Sequence, residues 1–157
     1  MTTLAVDAIV NAANSKVRGG GGVDGAIHMA GGPKILEDCR RRFPQGLATG
    51  DAGATAAGDL PCTWVIHAVG PNRHRGQDDP ALLVSAYRRS FEVAESVGAK
   101  TVACSLIGAG VYGWSRAESV NAALTALEQA GDMLTEVQLV CFGRPAYDEV
   151  SAILSAR

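Results

Sequence analysis

The stretch Asp7–His28 reads DAIVNAANSKVRGGGGVDGAIH and decides the fold of the chain. An apolar run rich in β-branched residues predicts a buried strand over Ala5–Asn11. A polar, Gly-rich loop follows over Asn14–Gly22, and Val23–Ala30 is predicted to be a short helix. A strand that leads through such a loop into a helix is typical of α/β proteins, which bind ligands at the carboxyl ends of their strands.

The rest of the chain continues this alternation of strands and helices. Further strands are predicted over Gly53–Ala57, Trp64–Val69, Thr101–Ile107 and Glu136–Phe142. Further helices are predicted over Pro33–Arg42, Pro80–Val97, Ser115–Ala130 and Ala146–Ser155. Several of the strands are uninterrupted apolar runs, which indicates a mostly parallel sheet covered by helices on both faces. The length of 157 residues fits one domain, residues 1–157, since domains commonly hold ~100–200 residues.

The composition narrows the classes of function. The 14 basic and 16 acidic residues nearly cancel, whereas nucleic-acid-binding domains usually have a high pI and clustered Lys and Arg. No run approaches the ~18 apolar residues of a membrane span, and the N-terminus lacks the pattern of a signal peptide. The four Cys residues are too widely spaced for a zinc site, and Cys104 and Cys141 are interpreted as small core residues. A cytoplasmic protein that contacts no membrane and holds no metal is expected.

The remaining basic and imidazole side chains are interpreted as structural. Arg40–Arg42 complement the dipole at a helix C-terminus, and Arg73–Arg75 lie in a solvated loop. Nucleic-acid binding is therefore disfavoured. His67 lies in a predicted strand and is interpreted as a core residue, whereas His74 is expected to be solvated.

The chain has 19 glycines, and part of this excess is concentrated in two loops. Four glycines, Gly19–Gly22, precede the first helix, and a second Gly-rich loop, Gly108–Gly113, also lies between a strand and a helix. Bare backbone N–H groups beside a helix N-terminus form an anion site. Two such loops suit a pyrophosphate held between them, although neither has the spacing of a P-loop or a Rossmann fingerprint.

Three polar side chains accompany the first of these loops. Asp24 and His28 are spaced i,i+4 and would share one helix face, and Asn14 lies across the loop. Asn offers a donor and an acceptor to sugar hydroxyls, and a carboxylate can orient or deprotonate a water. The alternatives are that Asp24 only caps the helix and that His28 is structural.

At these residues the sequence resembles the macrodomain family, specifically its MacroD-type hydrolases. The matching motifs are DAIVNAAN (Asp7–Asn14), GGGGVDGAIH (Gly19–His28), VIHAVGP (Val65–Pro71) and GAGVYG (Gly108–Gly113). The resemblance covers nearly the whole chain. It implies a three-layer α/β/α fold around a mixed, mostly parallel sheet.

The resemblance also implies an ADP-ribose site, with no required metal or cofactor. Asn11 and Asn14 would meet the distal ribose, and Ile9 and Phe142 would pack near the adenine, although Phe142 has the alternative of an ordinary core residue. Two backbone segments would enclose the diphosphate: Gly20, Gly21, Gly22 and Val23 on one side, and Gly108, Ala109, Gly110, Val111 and Tyr112 on the other.

Members that have Asp and His at the positions of Asp24 and His28 resemble enzymes that cleave ADP-ribose esters. Their substrates are O-acetyl-ADP-ribose and proteins mono-ADP-ribosylated on Asp or Glu. Asn14, Asp24 and His28 would then form the catalytic group, with the identity of the general base left open. The alternative is a non-catalytic module that reads ADP-ribose, a class that often lacks a carboxylate at this position.

Two departures from the family pattern stand out. The family usually begins with a β-strand followed by G-D-I-T, and Thr2-Thr3-Leu4 aligns just after that motif. The chain is therefore expected to lack the N-terminal edge strand and the Asp that recognises adenine, through either a short variant or a start assigned too far downstream. An exposed edge invites pairing, so a monomer or an edge-to-edge dimer is expected. Gly108-Ala109 also replaces the Ser-Thr of many hydrolytic members.

Overall fold

Five strands form one mixed sheet in the computed structural model, which describes all residues 1–157. The strands are β1 (Ala8–Ala13), β2 (Ala52–Ala56), β3 (Trp64–Val69), β4 (Thr101–Cys104) and β5 (Glu136–Leu139), in the order β2-β3-β1-β4-β5. Only the β2–β3 pair is antiparallel. The prediction of a mixed, mostly parallel sheet is therefore confirmed.

Five helices cover the two faces of this sheet. They are α1 (Gly22–Gly31), α2 (Pro33–Arg42), α3 (Pro80–Ser96), α4 (Arg116–Glu128) and α5 (Arg144–Ser155). Alternate residues of β1 point to opposite faces. Val10 packs in an apolar cluster with α3 and α4, and Ile9 packs in a second cluster with α1 and α2. The three-layer α/β/α arrangement follows, and none of the helices has the length and apolarity needed to cross a membrane.

The predicted bounds are correct for α2 and β3 and less accurate elsewhere. β1 begins at Ala8 rather than Ala5 because Asp7 binds the start of β4: its carboxylate accepts hydrogen bonds from the N–H groups of Lys100 (2.8 Å) and Thr101 (3.1 Å). These bonds, with the one from Lys100 the largest, lower the pKa of Asp7. Asp7 therefore connects the starts of β1 and β4 at the amino end of the sheet.

The last two strands end three residues earlier than predicted. β4 stops at Cys104 because the backbone then turns into side-chain hydrogen bonds, such as that from the Ile107 N–H to the Tyr87 hydroxyl at 2.9 Å. β5 loses its pairing partner at that point and stops at Leu139. Cys141 consequently lies beyond the strand and is only half-buried, so its interpretation as a strand core residue is wrong.

The sheet edges are β2 and β5. Residues 1–7 contain no strand, as the sequence comparison with the family pattern predicts, and β5 pairs only with β4. Association of two chains through the exposed edge of β5 stays a prediction.

Candidate functional site at the carboxyl ends of β1 and β4

The two glycine-rich loops lie side by side. β1 and β4 are adjacent and parallel, so the loops that follow them both leave the sheet at the carboxyl ends of its strands. The first loop leads into α1, and the second leads into α4. The sequence prediction that both loops border one site at this edge fits this topology.

The first loop presents a row of free backbone donors. None of the N–H groups of residues 20–24 donates a hydrogen bond within the protein. Gly20, Gly21 and Gly22 are exposed, and Val23 is at the start of α1. Free N–H groups at a helix N-terminus, together with the helix dipole, favour a bound anion such as a phosphate.

The second loop depends on glycine for its shape. Gly108 has φ +78°, and a Cβ there would lie 2.8 Å from the indole of Trp114. The N–H groups of Gly110, Val111 and Tyr112 have no acceptor in the protein, whereas the N–H of Ala109 bonds the carbonyl of Leu106. Because Val111 is exposed, the tip of this loop is available to a ligand. The replacement of Ser-Thr by Gly108-Ala109 leaves these donors in place.

Arg73 anchors the second loop. Its guanidinium lies 3.9 Å from the ring centroid of Trp114 and donates two hydrogen bonds to the Glu118 carboxylate, at 2.9 and 3.0 Å. Its backbone N–H donates to the carbonyl of Tyr112 at 2.9 Å. The Arg73 guanidinium, aided by the Ser115 backbone, lowers the pKa of Glu118 to about 2. The interpretation of Arg73–Arg75 as a merely solvated loop is therefore wrong for Arg73.

Asp24 is the centre of the polar cluster. Its side chain is buried, and its Oδ1 accepts a 2.7 Å hydrogen bond from the Nδ2 of Asn11. The Nε2 of His28 lies 3.3 Å from the same oxygen, although it is not aligned to donate a hydrogen bond to it. The predicted shared face of Asp24 and His28 is confirmed. The alternative that Asp24 caps α1 is wrong, because no side chain makes a cap hydrogen bond there.

The second oxygen of Asp24 faces the mouth of the loop. A Cβ built on Gly20 would lie 3.2 Å from Oδ2, and this oxygen accepts no hydrogen bond from the protein. The amide of Asn11 thus holds Oδ1 from the protein interior, and Oδ2 lies beside the loop that carries the free N–H groups.

Asn14 is used mainly by the loop itself. Its Oδ1 accepts from the N–H groups of Lys16 (3.1 Å) and Val17 (3.2 Å), and its Nδ2 donates to the carbonyl of Gly19 (3.1 Å). One amide hydrogen stays free. The side chain lies close to Gly20, since a Cβ there would be 3.6 Å from Nδ2.

The two residues predicted near an adenine have opposite environments. Ile9 is 1% exposed and belongs to the apolar cluster beneath α1 and α2. Phe142 follows β5 and is 96% exposed. The alternative that Phe142 is an ordinary core residue is therefore wrong.

A second polar layer lies behind Asn11, and sequence reasoning missed its significance. His67 is fully buried, with Nδ1 3.2 Å from the Nδ2 of Asn11 and Nε2 2.9 Å from the Oγ1 of Thr55. The signal was the matching position of the two residues on neighbouring parallel strands, where Asn11 is paired with His67. That register was not inferred from the sequence.

His28, Cys39 and His67 place their nitrogen and sulfur atoms within 4.8 Å of one another. A metal would need a thiolate and a bare ring nitrogen. Burial instead raises the pKa of the Cys39 thiol to about 11, and the Nε2 of His67 is engaged with Thr55. The chemistry of these donors fits a hydrogen-bonded core better than a metal centre.

Known protein families, sequences and solved structures contain proteins similar to this chain. The sequence profile of the Macro domain family matches residues 10–123. A macro domain-containing protein of Streptomyces coelicolor is 46% identical over 158 residues, covering 98% of this chain and 94% of that protein. A Pantoea vagans protein named O-acetyl-ADP-ribose deacetylase 1 is 44% identical over 154 residues, covering 94% of this chain and 90% of that protein. A structure of a mutant Oceanobacillus iheyensis macrodomain with ADPR matches with a TM-score of 0.89 at 32% identity, covering 99% of this chain and 88% of that one.

Proposed function

Because this chain belongs to the macrodomain family, we propose that it binds ADP-ribose and hydrolyses esters of its distal ribose. The substrates are O-acetyl-ADP-ribose and proteins mono-ADP-ribosylated on Asp or Glu. The Pantoea vagans relative, which is 44% identical to this chain, carries the name O-acetyl-ADP-ribose deacetylase 1, and this name supports the first of these two substrates. The second substrate class shares the same bond, an acyl group on a ribose oxygen. Residues 1–157 would act as one domain.

The observation that carries the proposal is the combination of free donors with a half-satisfied carboxylate. Two sets of unpartnered N–H groups, at residues 20–24 and 110–112, lie at one edge of the sheet and suit the two phosphates of a diphosphate. Asp24 lies at the base of the first set with its Oδ2 free of protein donors. A diphosphate bound there brings the attached ribose towards Asp24.

The distal ribose would find partners in two asparagines. The Oδ1 of Asn11 is buried without a hydrogen-bond partner in the protein, and it would accept from a ribose hydroxyl. The free amide hydrogen of Asn14 would donate to a second ribose oxygen. At the other end of the ligand, the exposed ring of Phe142 would stack on the adenine.

Asp24 would orient or deprotonate the attacking water through Oδ2. Asn11 holds Oδ1 from the opposite side, so the carboxylate keeps a fixed direction. His28 lies against the same oxygen and supports this arrangement. The water adds across the ester bond and yields ADP-ribose and a carboxylic acid. A phosphate oxygen of the bound ligand would assist in taking the proton.

The competing function is a reader that binds ADP-ribose without turnover. A reader has no use for a buried carboxylate beside the ribose, because removing Asp24 from water without full compensation is costly. The partial satisfaction of Asp24 therefore favours the enzyme.

The test is the release of ADP-ribose from a glutamate-linked substrate by the wild-type protein and by Asp24→Ala. We expect the variant to be about 10²–10⁴-fold slower, the usual range for loss of a general acid or base. Calorimetry with ADP-ribose checks that the variant still binds. Equal rates would refute the role of Asp24, and tight wild-type binding without any turnover would support the reader.

A further inference from the structure

His67 lies directly behind the carboxylate site. In the parallel pairing of β1 and β3 it stands opposite Asn11, so the two side chains share one face of the sheet. His67 is fully buried and has no part in the proposed reaction. Its Nδ1 nevertheless lies 3.2 Å from the Nδ2 of Asn11, a residue that does take part.

The amide of Asn11 joins His67 to Asp24. Its Nδ2 lies 2.7 Å from the Oδ1 of Asp24 and 3.2 Å from the Nδ1 of His67. An amide nitrogen carries two hydrogens. Both are donated if Nδ1 is a bare acceptor, one to the carboxylate and one to the ring.

The other side of the ring fits the same tautomer. With Nδ1 bare, the single hydrogen of the neutral imidazole is on Nε2, which lies 2.9 Å from the Oγ1 of Thr55. The Thr55 hydroxyl gives its own hydrogen to the carbonyl of Ala56, at 3.0 Å, so Oγ1 is available to accept. One assignment of hydrogens satisfies the whole chain of bonds from Asp24 to Ala56.

The opposite orientation of the Asn11 amide is disfavoured by Asp24. It would place Oδ1 against the Asp24 carboxylate, which is a repulsive contact whichever nitrogen of His67 carries the hydrogen. The observed orientation also turns Oδ1 away from both groups and leaves it buried and unpartnered. In the proposed complex, a hydroxyl of the distal ribose would supply the donor that this oxygen lacks.

We propose that His67 is a positioning residue that acts through its bare Nδ1. It fixes the amide of Asn11 so that Nδ2 holds Asp24 and Oδ1 meets the distal ribose. This inference rests on the proposed function, because it assigns the amide a ribose to contact. The role needs the acceptor atom at Nδ1, rather than only the volume of the ring.

The surroundings of His67 keep the ring neutral. His28 and Asp24 face it from α1, and Asp38 and Cys39 face it from α2. Burial, aided by the charge of His28, lowers the pKa of His67 to about 4, against the opposing influence of the two carboxylates. The ring therefore stays neutral at neutral pH, and its single hydrogen is assigned to Nε2 by the contacts with Asn11 and Thr55.

Two matched variants test the proposal. His67→Leu and His67→Asn have the same branching and the same number of side-chain heavy atoms, but only Asn returns an acceptor near the position of Nδ1. For His67→Leu we expect turnover and ADP-ribose affinity to fall by about tenfold each, the usual effect of losing one hydrogen bond to a polar partner. Affinity for ADP, which lacks the distal ribose, should stay unchanged. His67→Asn should recover most of both losses.

The outcomes separate this inference from the proposed function. Equal behaviour of the two variants, or wild-type ADP-ribose affinity and turnover in His67→Leu, would overturn the role of Nδ1. If the wild-type protein binds ADP-ribose without turnover, the hydrolase proposal fails, and the affinity comparison still decides the inference. The ring nitrogen chemical shifts of the wild-type protein give a readout free of activity. A proton on Nδ1 at neutral pH would overturn the proposal, and a bare Nδ1 would support it.

Discussion

Gly25 decides how closely α1 approaches the loop that presents the free N–H groups. A Cβ on Gly25 would lie 2.5 Å from the carbonyl oxygen of Gly20, whereas real Cβ atoms essentially never come within 3.0 Å of such an atom. Gly25→Ala must therefore move the backbone of Gly20 or the helix by at least 0.5 Å. Gly20 also borders the Oδ2 of Asp24, so the shift changes the anion site and the carboxylate together.

The displacement has unequal effects on activity and stability. A misplacement of about 1 Å in a reacting geometry can cost ~10²-fold in rate. For half of that shift we expect kcat/KM to fall by about tenfold or more, or ~1.4 kcal/mol in the barrier. Gly25 lies in the helix, where alanine is favoured over glycine by ~1 kcal/mol. That gain offsets part of the steric strain, so the variant should stay folded.

The assay measures release of ADP-ribose, affinity for ADP-ribose by calorimetry, and the thermal unfolding temperature. Ala26→Ser is the matched control, because it adds one atom to the neighbouring side chain, which is exposed. It should behave as the wild-type protein does. Wild-type kcat/KM and affinity in Gly25→Ala would refute the argument that the close approach of α1 shapes the site.

Two further predictions concern Phe142 and His67. Phe142→Ala should weaken ADP-ribose binding about tenfold in calorimetry, because base–aromatic stacking contributes ~1–3 kcal/mol, while the unfolding temperature of this 96% exposed position stays unchanged. Unaltered affinity would exclude an adenine contact. Because the pKa of His67 is lowered from 6.5 to about 4 in the folded state, the unfolded chain takes up the proton first as the pH falls. Stability should therefore decline between these values, by roughly 3 kcal/mol in full, as measured by urea unfolding. His67→Leu should flatten this dependence, and an unchanged pH slope in that variant would contradict it.

Much of the fold follows from local sequence patterns. The apolar run Trp64–Val69 is bounded by Gly70-Pro71, which cannot continue a strand ladder, and its predicted bounds are correct. Pro33 and three terminal arginines delimit α2 in the same way. β4 and β5 were predicted too long because their apolar runs continue past the point where the ladder ends. Hydrophobicity records burial, whereas the end of a strand depends on which partner is available.

Only those parts of the site that depend on residue type and on short spacing along the chain could be predicted. Asp24 and His28 meet because four residues make about one helical turn, and that requires no tertiary information. The bond from Asn11 to His67 depends on the register of two strands 56 positions apart in sequence. The approach of Gly25 to Gly20 likewise depends on how the loop folds back on its helix. Such relations are set by packing, which a single sequence does not display.

Asp38 shows why the environment of Asp24 points to chemistry rather than to stability. Both are buried carboxylates. Asp38 has both oxygens satisfied: Arg41 bonds Oδ1. Oδ2 lies 2.9 Å from the Nε of Arg42 and 2.9 Å from the backbone nitrogen of Ala56. These partners outweigh the effect of burial and lower its pKa. Asp24 has no arginine or lysine, and its Oδ2 has no protein donor. A carboxylate retained only for stability would be expected to resemble Asp38, because an unpaired buried charge is costly. The free Oδ2 of Asp24 therefore favours the proposed role of orienting a water, and the free N–H groups beside it suit the phosphates of the ligand whose ester that water would attack.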